Sequence, residues 1–493
     1  MAQTKHYDLI VIGSGPGGYV GAIRAAQLGL KTAVVERNNL GGVCLNWGCI
    51  PTKALLHNAE LYQEAITHGK EWGIEVDPAS VKVDFQKVIG RSRSITGGLN
   101  SGVGFLLKKN KIDHYEGHAK ITSGRTSGAP CSIEISEADS DYYKGGGGKT
   151  TGKLTADNIM IATGAAPNEL PFAPCDGETI LSSYHALSVP ELPKSMVIVG
   201  SGAIGMEFAY FFNAFGTEVT VVEMLDRILP AEDDEVSKIA QKAFTKQGIT
   251  FKTGHTVQGI KTGKKGAKVD IAPAGDGGET ETIDCEKVLV AIGVHGRFDG
   301  LFEESLGLRV EKGHICTDVR ESAEPTYQTS VAGIYAIGDV IGPPWLAHVS
   351  SEEAIACAER IAGHHVIPID YDSIPACTYC SPQVASIGLT ERDCKEKGLE
   401  YDSGVYQLKA HGKAIAVGKT EGMVKILTSK PYGEILGAHI IGEDASELIA
   451  EIGLAKRLEA TADDIISTMH AHPTMAESVH EATMATQGRM IHG

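Results

Sequence analysis

The sequence predicts an α/β protein built on two doubly wound, Rossmann-like nucleotide-binding domains. Two observations carry that prediction. Residues 7–36 read "YDLIVIGSGPGGYVGAIRAAQLGLKTAVVE", an apolar strand, a glycine turn Gly13-x-Gly15-x-x-Gly18, a small-residue helix and a second strand ending in Glu36. Residues 196–223, "MVIVGSGAIGMEFAYFFNAFGTEVTVVE", repeat the layout with Gly200, Gly202, Gly205 and Glu223. In both units the acid follows the third glycine by 18 positions, and an alanine (Ala22, Ala209) follows it by four. A lone GxGxxG is weak evidence, but the whole pattern twice in register is strong. At 493 residues the chain exceeds one hydrophobic core and has room for three or four domains.

Each element has a physical reason. The first glycine permits the tight turn, the second lets the backbone approach a pyrophosphate, and the third allows close helix–strand packing. The phosphate then sits at the positive helix N-terminus. The terminal carboxylate accepts hydrogen bonds from ribose hydroxyls and repels a 2′-phosphate. With no arginine in the three positions after it, Glu223 favours NAD over NADP. Three further apolar strands, "NIMIATGAAP" (158–167), "KVLVAIG" (287–293) and "GIYAIGDV" (333–340), end in glycine turns. Asp339 in the last is placed to reach a cofactor sugar chain. The second nucleotide unit is therefore expected to be inserted between pieces of the first. The glycine-rich "SDYYKGGGGKTTGK" (140–153) reads as a mobile hairpin tip or connection.

Composition excludes several classes. A formal charge of −17 argues against nucleic acid, which needs clustered Lys and Arg. The apolar runs are far shorter than the roughly 20 residues of a membrane helix, so no membrane span is expected. The N-terminus lacks the basic start and apolar centre of a secretory signal, which predicts a cytoplasmic protein. Ten cysteines in this length do not make a disulfide scaffold.

Two of them stand in "GGVCLNWGCIPTK" (41–53), where four residues separate Cys44 from Cys49. On an ideal helix such positions point about 140° apart, and a disulfide needs Cα atoms within about 7 Å. Gly48 and Pro51 can distort the turn, so the spacing alone leaves both a redox couple and two packed thiols open.

The two glycine loops, this cysteine stretch, the "ATG" turn, "YAIGDV" and the C-terminal "HAHPTMAE" together resemble the class I pyridine nucleotide-disulfide oxidoreductases, the disulfide-dependent flavoprotein reductases. The resemblance covers essentially the whole chain. It implies FAD in the first site, NAD in the second, and a C-terminal α/β dimerisation domain in a homodimer. The implied division is an FAD-binding domain (1–164), an NAD-binding domain (165–290), a central domain completing the FAD site (291–366) and the dimerisation domain (367–493). Carried over, Cys49 is the thiol facing the flavin and Cys44 the interchange thiol that meets substrate. Lys53 and Glu207 match a pair near the flavin ring, Glu36 the adenosine-ribose ligand, and Asp339 the ribityl ligand. Gly164 and Ala347 complete the implied FAD contacts, and Gly293 joins Glu223 in the NAD site.

The pattern His-Pro-Thr followed by Glu selects His472 as the base and Glu477 as its orienting carboxylate, which suits an imidazole with an ordinary pKa near 6.5. His470 and His480 have no match and are expected to have surface or packing roles, and no metal is expected. The helical-looking 444–465 fits either the interface or a core helix. Glu223 separates the chain from the NADP-dependent glutathione-reducing branch, and the lack of paired cysteines at either end separates it from the mercury-reducing one. The resemblance thus implies oxidation of dihydrolipoyl groups by NAD⁺, with the lipoyl domains of 2-oxoacid dehydrogenase or glycine-cleavage complexes as partners. Three features depart from the family: Trp47 in place of a small or β-branched residue, "VHGRFDGL" (294–301) in place of Arg-x-Pro-Asn, and Cys377-x-x-Cys380, expected to be inert thiols.

Overall fold

A computed structural model describes residues 5–69, 72–75, 77–138, 147–275 and 278–493. The chain forms two compact units, one of residues 1–54, 90–168 and 294–369, the other of 55–89, 169–293 and 370–493.

The first unit carries the first glycine loop. Its elements begin β1 (Lys5–Ile12), α1 (Pro16–Gln27), β2 (Thr32–Glu36), α2 (Gly42–Trp47) and α3 (Cys49–Gln63). They continue with α4 (Phe85–Lys109), β3 (Asp113–Glu116), β4 (His118–Ser123), β5 (Cys131–Ala138) and β6 (Gly147–Ile161); α3 and α4 each run on into the second unit. The sheet order is β3-β2-β1-β6-β5-β4, with Ile334–Ala336 added beside β6. β3, β2, β1 and the end of β6 run parallel, with Ile10 level with Ala33 and Ile159, while β5 and β4 are antiparallel. The apolar run of β1 is buried because structure covers both faces of a parallel sheet. Small residues let α1 lie close to helix Ala347–Ile361: a Cβ on Gly21 would stand 3.0 Å from the Ala354 Cβ. Of the glycine-rich stretch 140–153, residues 140–146 lie outside the described residues, and from Gly147 the chain is strand β6.

The second unit holds a five-stranded parallel sheet in the order Thr250–Thr253, Glu218–Glu223, Ser195–Val199, Lys287–Val290, Ile180–Ser182. It is cut from the stretch between residues 168 and 294 of the first unit, the inserted arrangement expected above. A five-stranded antiparallel sheet follows, ordered Ala376–Thr378, Gln383–Gly388, Ile435–Gly442, Met423–Ser429, Tyr401–Gln407. Its core includes Ile426, Ile440, Ile449, Ile452 and Val479. Helix Ala445–Arg457 turns Ile449 and Ile452 into that core and leaves Leu454 62% exposed, so it is a core helix with an uncovered edge.

A buried ion cluster ties this unit together. Lys425 is 1% exposed, and its Nζ lies 3.0 Å from Asp233, 2.8 Å from Glu235 and 2.7 Å from Glu391. Asp233 also caps helix Asp234–Lys246 by accepting the Glu235 N–H at 3.0 Å. Lys425→Ala would leave the carboxylates without their cation, and denaturant titration should show a loss of about 3–5 kcal/mol. The Lys425 hydrogen bond holds the Glu391 carboxyl down at about 2. Because the folded value is depressed, this contribution is complete above the ordinary glutamate range and is lost as pH falls toward 2.

Candidate active site

The two glycine loops are built alike. Gly13 and Gly200 have φ of +96° and +100°, and a Cβ on either would lie 2.4 Å from the carbonyl oxygen of Ala162 or Ala291. A Cβ on Gly18 or Gly205 would lie 2.1 Å from the Gly13 or Gly200 carbonyl oxygen, so these positions admit only glycine. The middle glycines differ. A Cβ on Gly202 would meet no protein atom within 4 Å, and one on Gly15 only the Gly42 Cα at 3.9 Å. Open space above a helix N-terminus at the second glycine is what a pyrophosphate requires, so both loops fit a dinucleotide. Gly202→Ala should therefore leave the fold intact and weaken NAD binding by about ten- to a hundredfold, the size of an overpacking penalty, as read by titration. Unchanged affinity would place the cofactor elsewhere.

Each loop is latched to its terminal acid. Glu36 Oε2 accepts the Ser14 N–H at 2.8 Å and hydroxyl at 2.7 Å, and its Oε1 accepts the Asn38 N–H at 2.9 Å. Glu223 accepts the Ser201 N–H at 2.9 Å, the Ser201 hydroxyl at 2.7 Å and the Leu225 N–H at 2.9 Å. Arg227, the nearest following arginine, is engaged by Asp226 at 2.9 Å and Asp234 at 3.5 Å.

The cysteine stretch folds as two helices rather than one. α2 ends at Trp47, Gly48 breaks the backbone with φ −149° and ψ −115°, and α3 begins at Cys49. A Cβ on Gly48 would come within 3.3 Å of the Val43 carbonyl oxygen. The break brings together positions that a continuous helix would point apart: the Cys44 and Cys49 side chains hydrogen-bond to each other as thiols. That bond, with burial and the Asp339 charge, pushes the Cys44 thiol well up, while the Lys53 ammonium opposes the shift. Cys49 opens a 15-residue helix, where the dipole favours a thiolate. A Cβ on Gly42 would lie 2.6 Å from the Gly15 Cα, so the cysteine helix starts directly against the first dinucleotide loop.

α2 is held from α4. Asn46 donates to the carbonyls of Leu40 (3.0 Å) and Gly42 (2.8 Å), and its oxygen accepts from Asn100 at 2.8 Å. Arg93 donates to the Asn46 carbonyl at 2.8 Å and lays its guanidinium 4.7 Å over the Trp47 ring. Trp47 thus packs as a partner for Arg93. Asn46, Arg93 and the latch serines were not singled out in the sequence, although "GSG" recurs in both loops and could have flagged Ser14 and Ser201.

Asp339 lies in the short turn Gly338–Ile341 in the first unit, and burial pushes its carboxyl up to about 6. Glu353, buried on helix Ala347–Ile361, accepts the Gly338 N–H at 2.6 Å and fixes that turn. Ala347 is the first residue of the same helix. Gly164 (φ +72°) lies in the first unit and Gly293 (φ +94°) in the second. Lys53 stands near the thiols; Glu207 is buried in the second unit and accepts the Tyr379 N–H at 3.1 Å. The departing 294–301 loop starts with strand Val294–Gly296, antiparallel to Ala165–Pro167, with His295 Nδ1 2.8 Å from Asn168. Cys377 packs on the C-terminal core and Cys380 is buried.

In the second unit His472 Nδ1 donates to Glu477 at 2.8 Å, and the other Glu477 oxygen accepts the Thr474 N–H at 2.9 Å. Burial alone would raise the Glu477 carboxyl; the Thr474 and His472 hydrogen bonds outweigh it and hold it below the usual range. The Nδ1–H tautomer leaves Nε2 as the proton acceptor, and the His472 side chain is 79% exposed. His470 cannot compete for this role: its nitrogens face the Thr468 carbonyl at 3.0 Å and Glu451 at 2.7 Å. Among the described residues no group of three or more His, Cys, Asp or Glu is arranged to hold a metal ion, and no helix is long and apolar enough to cross a membrane.

Comparison with known proteins agrees with this geometry. The family profile described as pyridine nucleotide-disulphide oxidoreductase matches residues 7–354, and that of its dimerisation domain matches residues 374–483. Dihydrolipoyl dehydrogenase from Rhizobium etli is 45% identical over 99% of this chain and 100% of its own length. The Bacillus subtilis enzyme of the same name is 43% identical, also over 99% and 100%, and a mitochondrial one from Pisum sativum is 40% identical over 98% and 92%. Among solved structures, LpdA from Mycobacterium tuberculosis superposes with a TM-score of 0.86 at 24% identity, covering 97% of this chain and 99% of its own.

Proposed function

The chain belongs to the pyridine nucleotide-disulphide oxidoreductase family, and on that premise we propose how its own residues carry out the reaction. It is a dihydrolipoyl dehydrogenase-type flavoprotein disulfide oxidoreductase whose cofactors are FAD and NAD. The observation that carries the residue assignment is the Cys44–Cys49 pair, joined across the Gly48 break and seated against the first dinucleotide loop.

In this reading the working enzyme holds Cys44 and Cys49 as a disulfide. A dihydrolipoyl thiolate attacks the Cys44 sulfur, forming a mixed disulfide and releasing Cys49 as thiolate. The second dihydrolipoyl thiol gives its proton to His472 Nε2 and displaces Cys44, which leaves a lipoyl disulfide and the reduced pair. Glu477 holds the imidazole by Nδ1 and stabilises its charged form. FAD held at the first dinucleotide loop would supply the two-electron acceptor for the dithiol and the hydride donor for NAD⁺.

Glu36, Gly13, Gly15, Gly18, Gly164, Lys53, Asp339 and Ala347 serve the FAD site. Gly200, Gly202, Gly205, Glu223 and Gly293 serve the nicotinamide side, and Glu207 serves the flavin with Lys53. The division into domains 1–164, 165–290, 291–366 and 367–493 follows these roles. The protein works as a homodimer, in the cytoplasm, on lipoyl domains of 2-oxoacid dehydrogenase or glycine-cleavage complexes. The dimerisation-domain match, the exposed His472 and the exposed apolar side chains of Leu454 and Met469 support pairing of two copies.

One anaerobic titration tests the reading. Dihydrolipoamide added to the holoenzyme should bleach the flavin, and NAD⁺ added next should yield NADH. A flavin that dihydrolipoamide does not reduce overturns the assignment, and a strong preference for NADP⁺ overturns the role of Glu223.

A further inference from the structure

We infer that His411 and the His470–Glu451 pair are positioning residues for His472, an inference that rests on the function proposed above. His472 makes a hydrogen bond to Glu477 and is otherwise largely exposed. It stands in the irregular connector between helix Ala462–Ser467 and helix Glu477–Thr486, so nothing in regular secondary structure fixes its place.

The connector is tethered two residues before the base and two residues after it. On the upstream side the His470 ring is 7% exposed, with Nδ1 3.0 Å from the Thr468 carbonyl and Nε2 2.7 Å from Glu451 on helix Ala445–Arg457. The His480 ring packs on it at 5.1 Å, with its own Nε2 3.0 Å from the Ile466 carbonyl. On the downstream side the buried His411, which precedes helix Gly412–Ala416, donates from Nε2 to the Thr474 carbonyl at 2.8 Å. Thr474 also gives its N–H to Glu477, so His411 orients the carboxylate that orients the base. Both tethers use charged or imidazole groups in protected positions, where a hydrogen bond holds geometry firmly. Neither set of side chains touches the reacting atoms. Their effect is to hold Nε2 where a substrate thiol meets it.

The test uses the FAD-loaded full-length protein and two reactions. Dithiol oxidation by NAD⁺ needs the base, whereas NADH-driven reduction of a one-electron dye needs neither thiols nor base. Wild-type turnover of dihydrolipoamide is measured first and tests the function itself, so a failure there is separable from a failure of this inference. Glu451→Ala and His411→Ala should each lower kcat for dihydrolipoamide by about ten- to a hundredfold, the size of effect of a misplaced catalytic group. KM for NAD⁺ and the dye rate should stay unchanged. Glu451→Gln, which keeps an oxygen facing His470 Nε2, should recover most of the kcat. Wild-type kcat in both alanine variants overturns the inference. So does parallel loss of the dye reaction, or Glu451→Gln as damaged as Glu451→Ala, since those outcomes mark a purely structural role.

Discussion

Cys44→Ser should lower NAD⁺-dependent oxidation of dihydrolipoamide by at least about a thousandfold, the scale of loss when a nucleophile is removed. A serine cannot form the disulfide that receives the substrate's electrons. The dye reaction driven by NADH should persist, because it bypasses the pair. Steady-state kinetics of both reactions on one preparation checks this. A variant that retained dithiol turnover would remove Cys44 from the chemistry altogether. A variant that lost both reactions would point instead to damage in the adjoining loop, where Gly42 meets Gly15.

His472→Ala should cost about 10²–10⁴-fold in the same reaction, the range for loss of a positioned acid–base group. The proton His472 takes comes from the second dihydrolipoyl thiol, so its removal limits the reaction once the imidazole is gone. The deficit should therefore shrink as pH rises and hydroxide takes over. Glu477→Gln should be milder, since it keeps an acceptor for Nδ1–H while removing the charge that favours the imidazolium. A pH–rate profile on the three proteins separates these effects. An alanine deficit that stayed constant from pH 6 to pH 9 would argue against a proton-transfer role.

Local sterics made much of this legible in the sequence. The third glycine of each loop is dictated by the carbonyl of the first, five residues earlier, and the first by its own positive φ, so their spacing is readable without the rest of the fold. The thiol pair was less accessible. Gly48 hinted at a distorted turn, yet the end of α2 is held at Asn46 by Arg93 and Asn100, which act from a helix some fifty residues on. Trp47 takes its role from the Arg93 guanidinium over its ring, a contact that no local pattern encodes. His411 was missed for the same reason: its link to Thr474 joins residues 63 positions apart and leaves no periodic trace. His472 and Glu477 were picked out by resemblance, because a histidine in an irregular connector has no pattern of its own.

The Ser–Glu latch places a limit on how this protein can change its coenzyme. In the role proposed for it Glu223 discriminates against a 2′-phosphate, and it also receives three hydrogen bonds that close the turn after its strand. A single substitution that welcomed the phosphate would strand the Ser201 N–H and hydroxyl and the Leu225 N–H, two of them buried. Intermediates on such a path would bind either coenzyme poorly. Evolution toward NADP, or an engineer's attempt at it, has to exchange the turn from Glu223 through Arg227 as a block, together with Ser201. The nucleotide preference of this chain is therefore entrenched by its backbone as much as by its charge.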